Sequence, residues 1–155
     1  SSDVCSSDLV WMELELVPVG TTRPLFATSA GRVLLAFQDE GWRREYLKTA
    51  DLRAMTDKTV TDRRQLARII ERTRTAGHGV TIGEVTPDVA GFAAPIFEPN
   101  GQVNAAVIIA APIERGRAVA ERLTGIVIQI AAQLSQALGY RAERLPTPQP
   151  LNGKR

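Results

Sequence analysis

Gly91-Phe92-Ala93-Ala94-Pro95-Ile96-Phe97-Glu98-Pro99-Asn100-Gly101-Gln102-Val103-Asn104-Ala105-Ala106-Val107-Ile108-Ile109-Ala110-Ala111 decides the fold. Two apolar runs, Gly91 to Phe97 and Gln102 to Ala111, flank the tight-turn signal Glu98-Pro99-Asn100-Gly101, and the stretch reads as a β-hairpin. Val103 to Ala111 is nearly continuous small and branched apolar sequence, the composition expected of a central strand covered by helices on both faces. Upstream, Val80 to Val85 is a third strand-like run. Downstream, Val119, Leu123, Val127, Ile130, Leu134 and Leu138 recur at helical spacing, which predicts one helix over Arg115 to Leu138 with Gly139 as its C-cap.

The amino-terminal half supplies further cover. Val10 to Val19 alternates, with Met12, Leu14 and Leu16 on one face and Glu13 and Glu15 on the other, and reads as a strand closed by Pro18 and Gly20. Thr28 or Ser29 suits the cap of a helix whose apolar face includes Val33, Leu34 and Phe37. Trp42 to Leu47 and Asp51 to Met55 look like two short helices. Thr61 or Asp62 then caps a longer one through Leu66, Ile69 and Ile70 to Ala76, ended by Gly77 and Gly79. The order is that of an α+β fold, an antiparallel β-sheet packed by helices, with no dinucleotide-binding crossover.

Composition limits the function classes. The chain has 155 residues, 44% of them apolar and 23% charged, enough for one compact domain and typical of a chain that folds in water. Its longest strongly apolar run free of charge, Val103 to Pro112, is too short to span a bilayer, so no membrane association is expected. The formal charge is only +2, but unevenly spread. Gly41 to Ala76 carries ten Lys or Arg against five acids, whereas Gly77 to Ile113 has three acids and no Lys or Arg and cannot grip phosphates. The single cysteine, Cys5, forms no internal disulfide, and a reducing, cytoplasmic setting is the default expectation.

Chemistry has few footholds. The one histidine, His78 in Ala-Gly-His-Gly, is the only base of the usual kind, and Ser29 lacks the strand-Gly-x-Ser-x-Gly context of a hydrolase nucleophile. Asp88 and Glu84 lie near one another without marks of a general acid-base pair, and metal ligands are too sparse for a dedicated site. No catalytic residue, metal or cofactor is therefore expected. What remains is the helix start at Thr28 to Gly31, whose free amides and partial positive charge suit a carboxylate or polarised oxygen, the glycine allowing close approach. Beside it a sheet of Ala, Val, Ile and Gly would form the wall of a ligand pocket, or else merely an ordinary core.

Arg23-Pro24-Leu25-Phe26-Ala27-Thr28-Ser29-Ala30-Gly31-Arg32-Val33-Leu34-Leu35-Ala36 resembles the opening of the effector-binding domain of IclR-type bacterial transcriptional regulators, a GAF-like sensor. Thr59-Val60-Thr61-Asp62, Ala76-Gly77-His78-Gly79-Val80, Gly91 to Phe97, Gly101-Gln102-Val103 and Leu138-Gly139 follow in the family's order. The resemblance implies a domain over residues 10–140 that binds a small-molecule effector and forms a homodimer or homotetramer. DNA would be contacted only through an N-terminal winged helix-turn-helix. Ser1 to Leu9 repeats Ser-Ser-Asp and looks like a translated sequencing adapter, so residues 1–9 are expected to be a non-native or disordered leader in place of that missing domain. Residues 141–155 are expected to be a flexible tail.

The same resemblance implies effector contacts from Ser29 and Ala30 at the helix start, from Thr81, Val89 and Gly91, and from Ile108 and Ala110 on the hairpin's second strand, to which the helix start adds Gly31 and the strand's remaining acid adds Glu84 as candidates. Relatives that bind small oxoacids tend to carry an acid at Thr81, Cys near Gly91, and hydroxyls at Ile108 and Ala110, so this chain is expected to prefer a more apolar, even aromatic, effector. The Ser29 to Gly31 amides would hold any carboxylate. Glu84 would take a hydroxyl or face water, and Arg32 is expected to be solvated or ion-paired rather than to touch ligand. The alternative is an oligomerisation or interaction module without a ligand, its pocket collapsed by Ile108 and packed Phe92.

Overall fold

The computed structural model describes residues 20–142. The strand expected over Val10 to Val19, the leader before it and the tail beyond Ala142 lie outside the described residues. In chain order the elements are α1 (Ser29–Ala36), α2 (Glu40–Thr49), α3 (Arg63–Ala76), β1 (Gly79–Ile82), β2 (Val89–Phe97), β3 (Val103–Pro112), α4 (Ile113–Ala118) and α5 (Ala120–Ala137). The architecture is α+β, with helices on both faces of a three-stranded antiparallel sheet of order β1-β2-β3. No helix among the described residues is long and apolar enough to cross a membrane.

The hairpin forms where the turn chemistry puts it. The Glu98 amide donates to the Gln102 carbonyl and the Gly101 amide to the Glu98 carbonyl. Strand alternation then separates two faces. Val80 and Ile82, Ala90, Phe92 and Ala94, and Val107 and Ile109 pack with Val127 and Ala131 of α5. Thr81, Gly91, Ala110 and Ile108 point the other way, toward α1. A second core of Phe26, Ala27, Leu35, Ala36, Leu66 and Ile70 holds α1 against α3, with α2 packed behind them. Tyr46 of α2 reaches this core; burial pushes its phenol above the ordinary range, and a hydrogen bond with the Phe26 backbone partly offsets the rise.

Two sequence expectations are corrected. Among the described residues β2 is the middle strand, buried from Ala90 to Pro95, and β3 pairs along one side of it with Ile108 51% exposed. The helix expected over Arg115 to Leu138 begins at Ile113 and breaks at Val119 (φ −125°, ψ 26°). Gly116 seats α4 so close that a Cβ there would lie 2.8 Å from Ala90 Cβ, and α5 must leave in a new direction. Finally, Asp51 to Met55 is not helical, and α2 alone spans Glu40–Thr49. Thr59 Oγ1 accepts from the amides of Met55 and Thr56 and donates to the Glu84 carbonyl, while Thr56 Oγ1 donates to the Gly83 carbonyl. These bonds pin the segment to the β1–β2 loop, an arrangement that competes with a helical one.

Arg32 carries the other tie to that loop. It is 2% exposed, donates Nε to the Phe26 carbonyl at 2.8 Å, and pairs through both terminal nitrogens with the Glu84 carboxylate, Nη1 to Oε1 at 2.9 Å. The fork geometry matches a carboxylate bidentately, and so buried a pair is strongly damaged by losing one partner. In urea unfolding, Arg32→Met should cost about 3–5 kcal/mol, and the double variant R32M/E84L should recover most of it. A double variant as unstable as the single one would refute the pair as the source. Gly31→Ala should cost about 1–3 kcal/mol in the same assay, because its methyl would lie 2.5 Å from Leu25 Cα and 2.6 Å from Thr28 Oγ1.

Candidate functional site

The tip of α1 is built by its cap. Thr28 adopts an extended conformation and its hydroxyl accepts from the Gly31 amide at 2.9 Å, while its carbonyl accepts from the Arg32 amide. Among the described residues the amides of Ser29 and Ala30 have no partner, so the helix tip retains two of the three donors expected from the sequence. Gly31 serves the fold of the Leu25–Thr28 turn rather than the approach of a ligand, a correction to the sequence reading.

Ser29, 1% exposed, sits over β2. A Cβ built on Gly91 would lie 2.7 Å from Ser29 Oγ and 3.0 Å from Thr81 Oγ1, so both hydroxyls converge on one glycine. Ser29 Oγ is buried and, among the described residues, has no hydrogen-bond partner. Buried hydroxyls are nearly always partnered, which makes this one a feature requiring an explanation. Next to Gly91 across the ladder stands Ala110, and next to Ala93 stands Ile108, both exposed. Val89, 37% exposed, opens β2 on the same face.

The structure therefore gathers Ser29, Thr81, Gly91 and Ala110, with Ala30, Ile108 and Val89 at the margins. It does not bring in Glu84. That carboxylate is paired bidentately with Arg32. The ion-paired option for Arg32 is the one realised. Phe92 is fully buried on the α5 side, and Ile108 stands half in solvent.

Together these residues form a shelf: the Ser29 and Thr81 hydroxyls are buried beneath α1, and Ala110 and Ile108 stand exposed beside them on β3. His78 takes no part, because its Nδ1 lies 3.2 Å from the Ala76 carbonyl and Ser29 Oγ has no partner. No cluster of three metal-ligating side chains occurs among the described residues. Sequence reasoning missed a cavity of about 460 Å³ on the opposite face of the sheet, lined by Ala94, Phe97, Ile128, Ala131 and Tyr140. Nothing in the helical periodicity of α5 signals it, since alanines read equally as packed and as bordering a gap.

Comparison with known proteins agrees with this architecture. The family described as "Bacterial transcriptional regulator IclR C-terminal" matches residues 10–136. The Pca regulon regulatory protein of Pseudomonas putida is 38% identical over 97 residues, 63% of this chain and 33% of that protein. The C-terminal domain of the Escherichia coli regulator KdgR superposes with a TM-score of 0.72 at 26% identity, covering 78% of this chain and 74% of that one. A PobR inducer-binding domain from Acinetobacter, a double mutant solved with 3-hydroxybenzoic acid, shares the fold at a TM-score of 0.69 and 23% identity, covering 75% and 67%. The chain spans a third to a half of the length of the curated relatives it matches. It belongs to the IclR family of bacterial transcriptional regulators, and residues 10–136 correspond to that family's C-terminal domain.

Proposed function

We propose that this domain senses a small, largely apolar and preferably aromatic metabolite bearing one oxygen-rich end, and that it catalyses nothing. The observation that carries the proposal is the buried, unpartnered Ser29 hydroxyl. Leaving such a group unsatisfied costs about 1–3 kcal/mol, a cost that a bound acceptor or donor would relieve. The Ser29 and Ala30 amides and the helix dipole favour a carboxylate at the same corner. Ala110, Ile108 and Val89 offer carbon surface and no hydrogen bonds, which disfavours a compact polyoxygenated acid. The Acinetobacter domain with 3-hydroxybenzoic acid shows that this fold can hold an aromatic acid in another protein.

Transduction follows from linkage. An effector that binds one quaternary arrangement better than another shifts the population, and DNA-binding halves attached to the domains change their spacing. A homodimer or homotetramer is part of this reading. Its support is the apolar surface that α5 leaves uncovered, where Ile130, Leu134 and Leu138 are 38%, 43% and 57% exposed. The rival reading, an interaction module with no ligand, draws on the same surface.

The test compares stability with and without ligand. Benzoate and hydroxybenzoates should raise the melting temperature, and aliphatic dicarboxylates should not. Ser29→Ala should stabilise the free chain by up to about 1 kcal/mol while weakening the ligand roughly tenfold. Loss of ligand response with gain of free stability separates a binding hydroxyl from a structural one. No response to any aromatic acid or neutral aromatic would remove the proposal.

A further inference from the structure

The surplus positive charge of Gly41 to Ala76 plays no part in effector sensing, and the structure concentrates much of it on one helix. α3 holds five arginines and a single acid, Glu71. Leu66, Ile70 and Thr73 form its buried face. Arg64, Arg68 and Arg72 repeat every fourth residue along the opposite face, and all three are exposed. Four residues of helix rise about 6 Å, so the three side chains form a straight row about 12 Å long. Like charges at this spacing repel one another along the helix. Among the described residues, none of the five arginines lies within ion-pair distance of a carboxylate. Arg63 is used internally, donating to the Leu47 and Ala50 carbonyls at 2.7 Å each, which leaves the outer row unneutralised.

We infer that the Arg64-Arg68-Arg72 row docks on the phosphate backbone of duplex DNA, giving this domain a weak, sequence-independent grip of its own. Guanidinium groups match phosphate bidentately and stay charged at any physiological pH. A regularly spaced row along a rigid helix suits a regularly spaced line of anions, whereas a small anion would need only one or two of the three. DNA is the polyanion close at hand for a member of a transcriptional regulator family. The inference goes beyond effector sensing and does not depend on it. It also departs from the sequence expectation that DNA is touched only through another domain.

The experiment titrates a fluorescent duplex of about 20 base pairs of arbitrary sequence with the whole chain at a series of salt concentrations. Binding on the order of 10⁻⁴ M or somewhat tighter is expected at low salt. The logarithm of the association constant should fall with the logarithm of salt at a slope of about −2 to −3, as three phosphate contacts require. R64Q/R68Q/R72Q should abolish binding while keeping the fold, since it removes only exposed charges, and its melting curve confirms that. R115Q/R117Q, which removes two exposed arginines from α4, should leave the slope unchanged. Absence of binding at the lowest salt, or equal binding by the triple variant, would overturn the inference. So would a triple variant that loses self-association in light scattering while the parent ignores DNA, which would assign the row to an acidic surface of a second copy.

Discussion

Helix α1 lies so close to β1 and β2 that two strand positions have no room for a side chain. A Cβ on Gly79 would fall 2.9 Å from the Ser29 carbonyl, and one on Gly91 would fall 2.7 Å from the Ser29 hydroxyl. This approach buries Ser29 and converges two hydroxyls on one point. It also forces Arg32, three residues further along the helix, into the interior, where it would be intolerable without Glu84. The candidate site and the ion pair beneath it are thus two consequences of one packing distance. The pair also ties the helix to the β1–β2 loop, which Thr56 and Thr59 hold from the other side. A displacement at the tip of α1 is then resisted by that loop, so the ligand proposed at Ser29 would act on a braced element rather than on a loose end.

Much of this could be read from the residues alone. The hairpin was legible because Glu98-Pro99-Asn100-Gly101 encodes its own turn, and α3 because Asp62 caps a helix whose apolar positions keep one period. The helix tip was legible as a cap, and Ser29, Thr81, Gly91 and Ala110 do share one face. What failed depends on distances between elements that local patterning does not encode. The break at Val119 follows from Gly116 meeting Ala90, two residues far apart in sequence. The capture of Glu84 by Arg32 spans fifty-two positions. Read singly, Glu84 suits a ligand hydroxyl or water and Arg32 a solvated or ion-paired place, and local patterning does not show that they pair with each other.

Charge and apolar surface are also segregated by layer. The sheet and its hairpin contain no Lys or Arg between Gly77 and Ile113, so the proposed shelf would offer a carboxylate only the dipoles of the α1 tip and the hydroxyls beside it. Dipoles and neutral donors discriminate by direction and distance, whereas a buried guanidinium would attract any anion of suitable size. Arg32 could have supplied that charge, yet it is buried and spends its charge on Glu84, with Nε donating to the Phe26 carbonyl. The net effect is a neutral corner on an apolar floor. Such a corner favours a ligand whose carbon skeleton contributes most of the binding energy and whose oxygen end fixes orientation. The arginine-rich outer face of α3 lies in the layer behind α1, separated from the shelf by the Phe26, Leu35, Leu66 and Ile70 core. Its field reaches the shelf only through that packed layer, so an anionic effector and a phosphate backbone need not compete for the same charges.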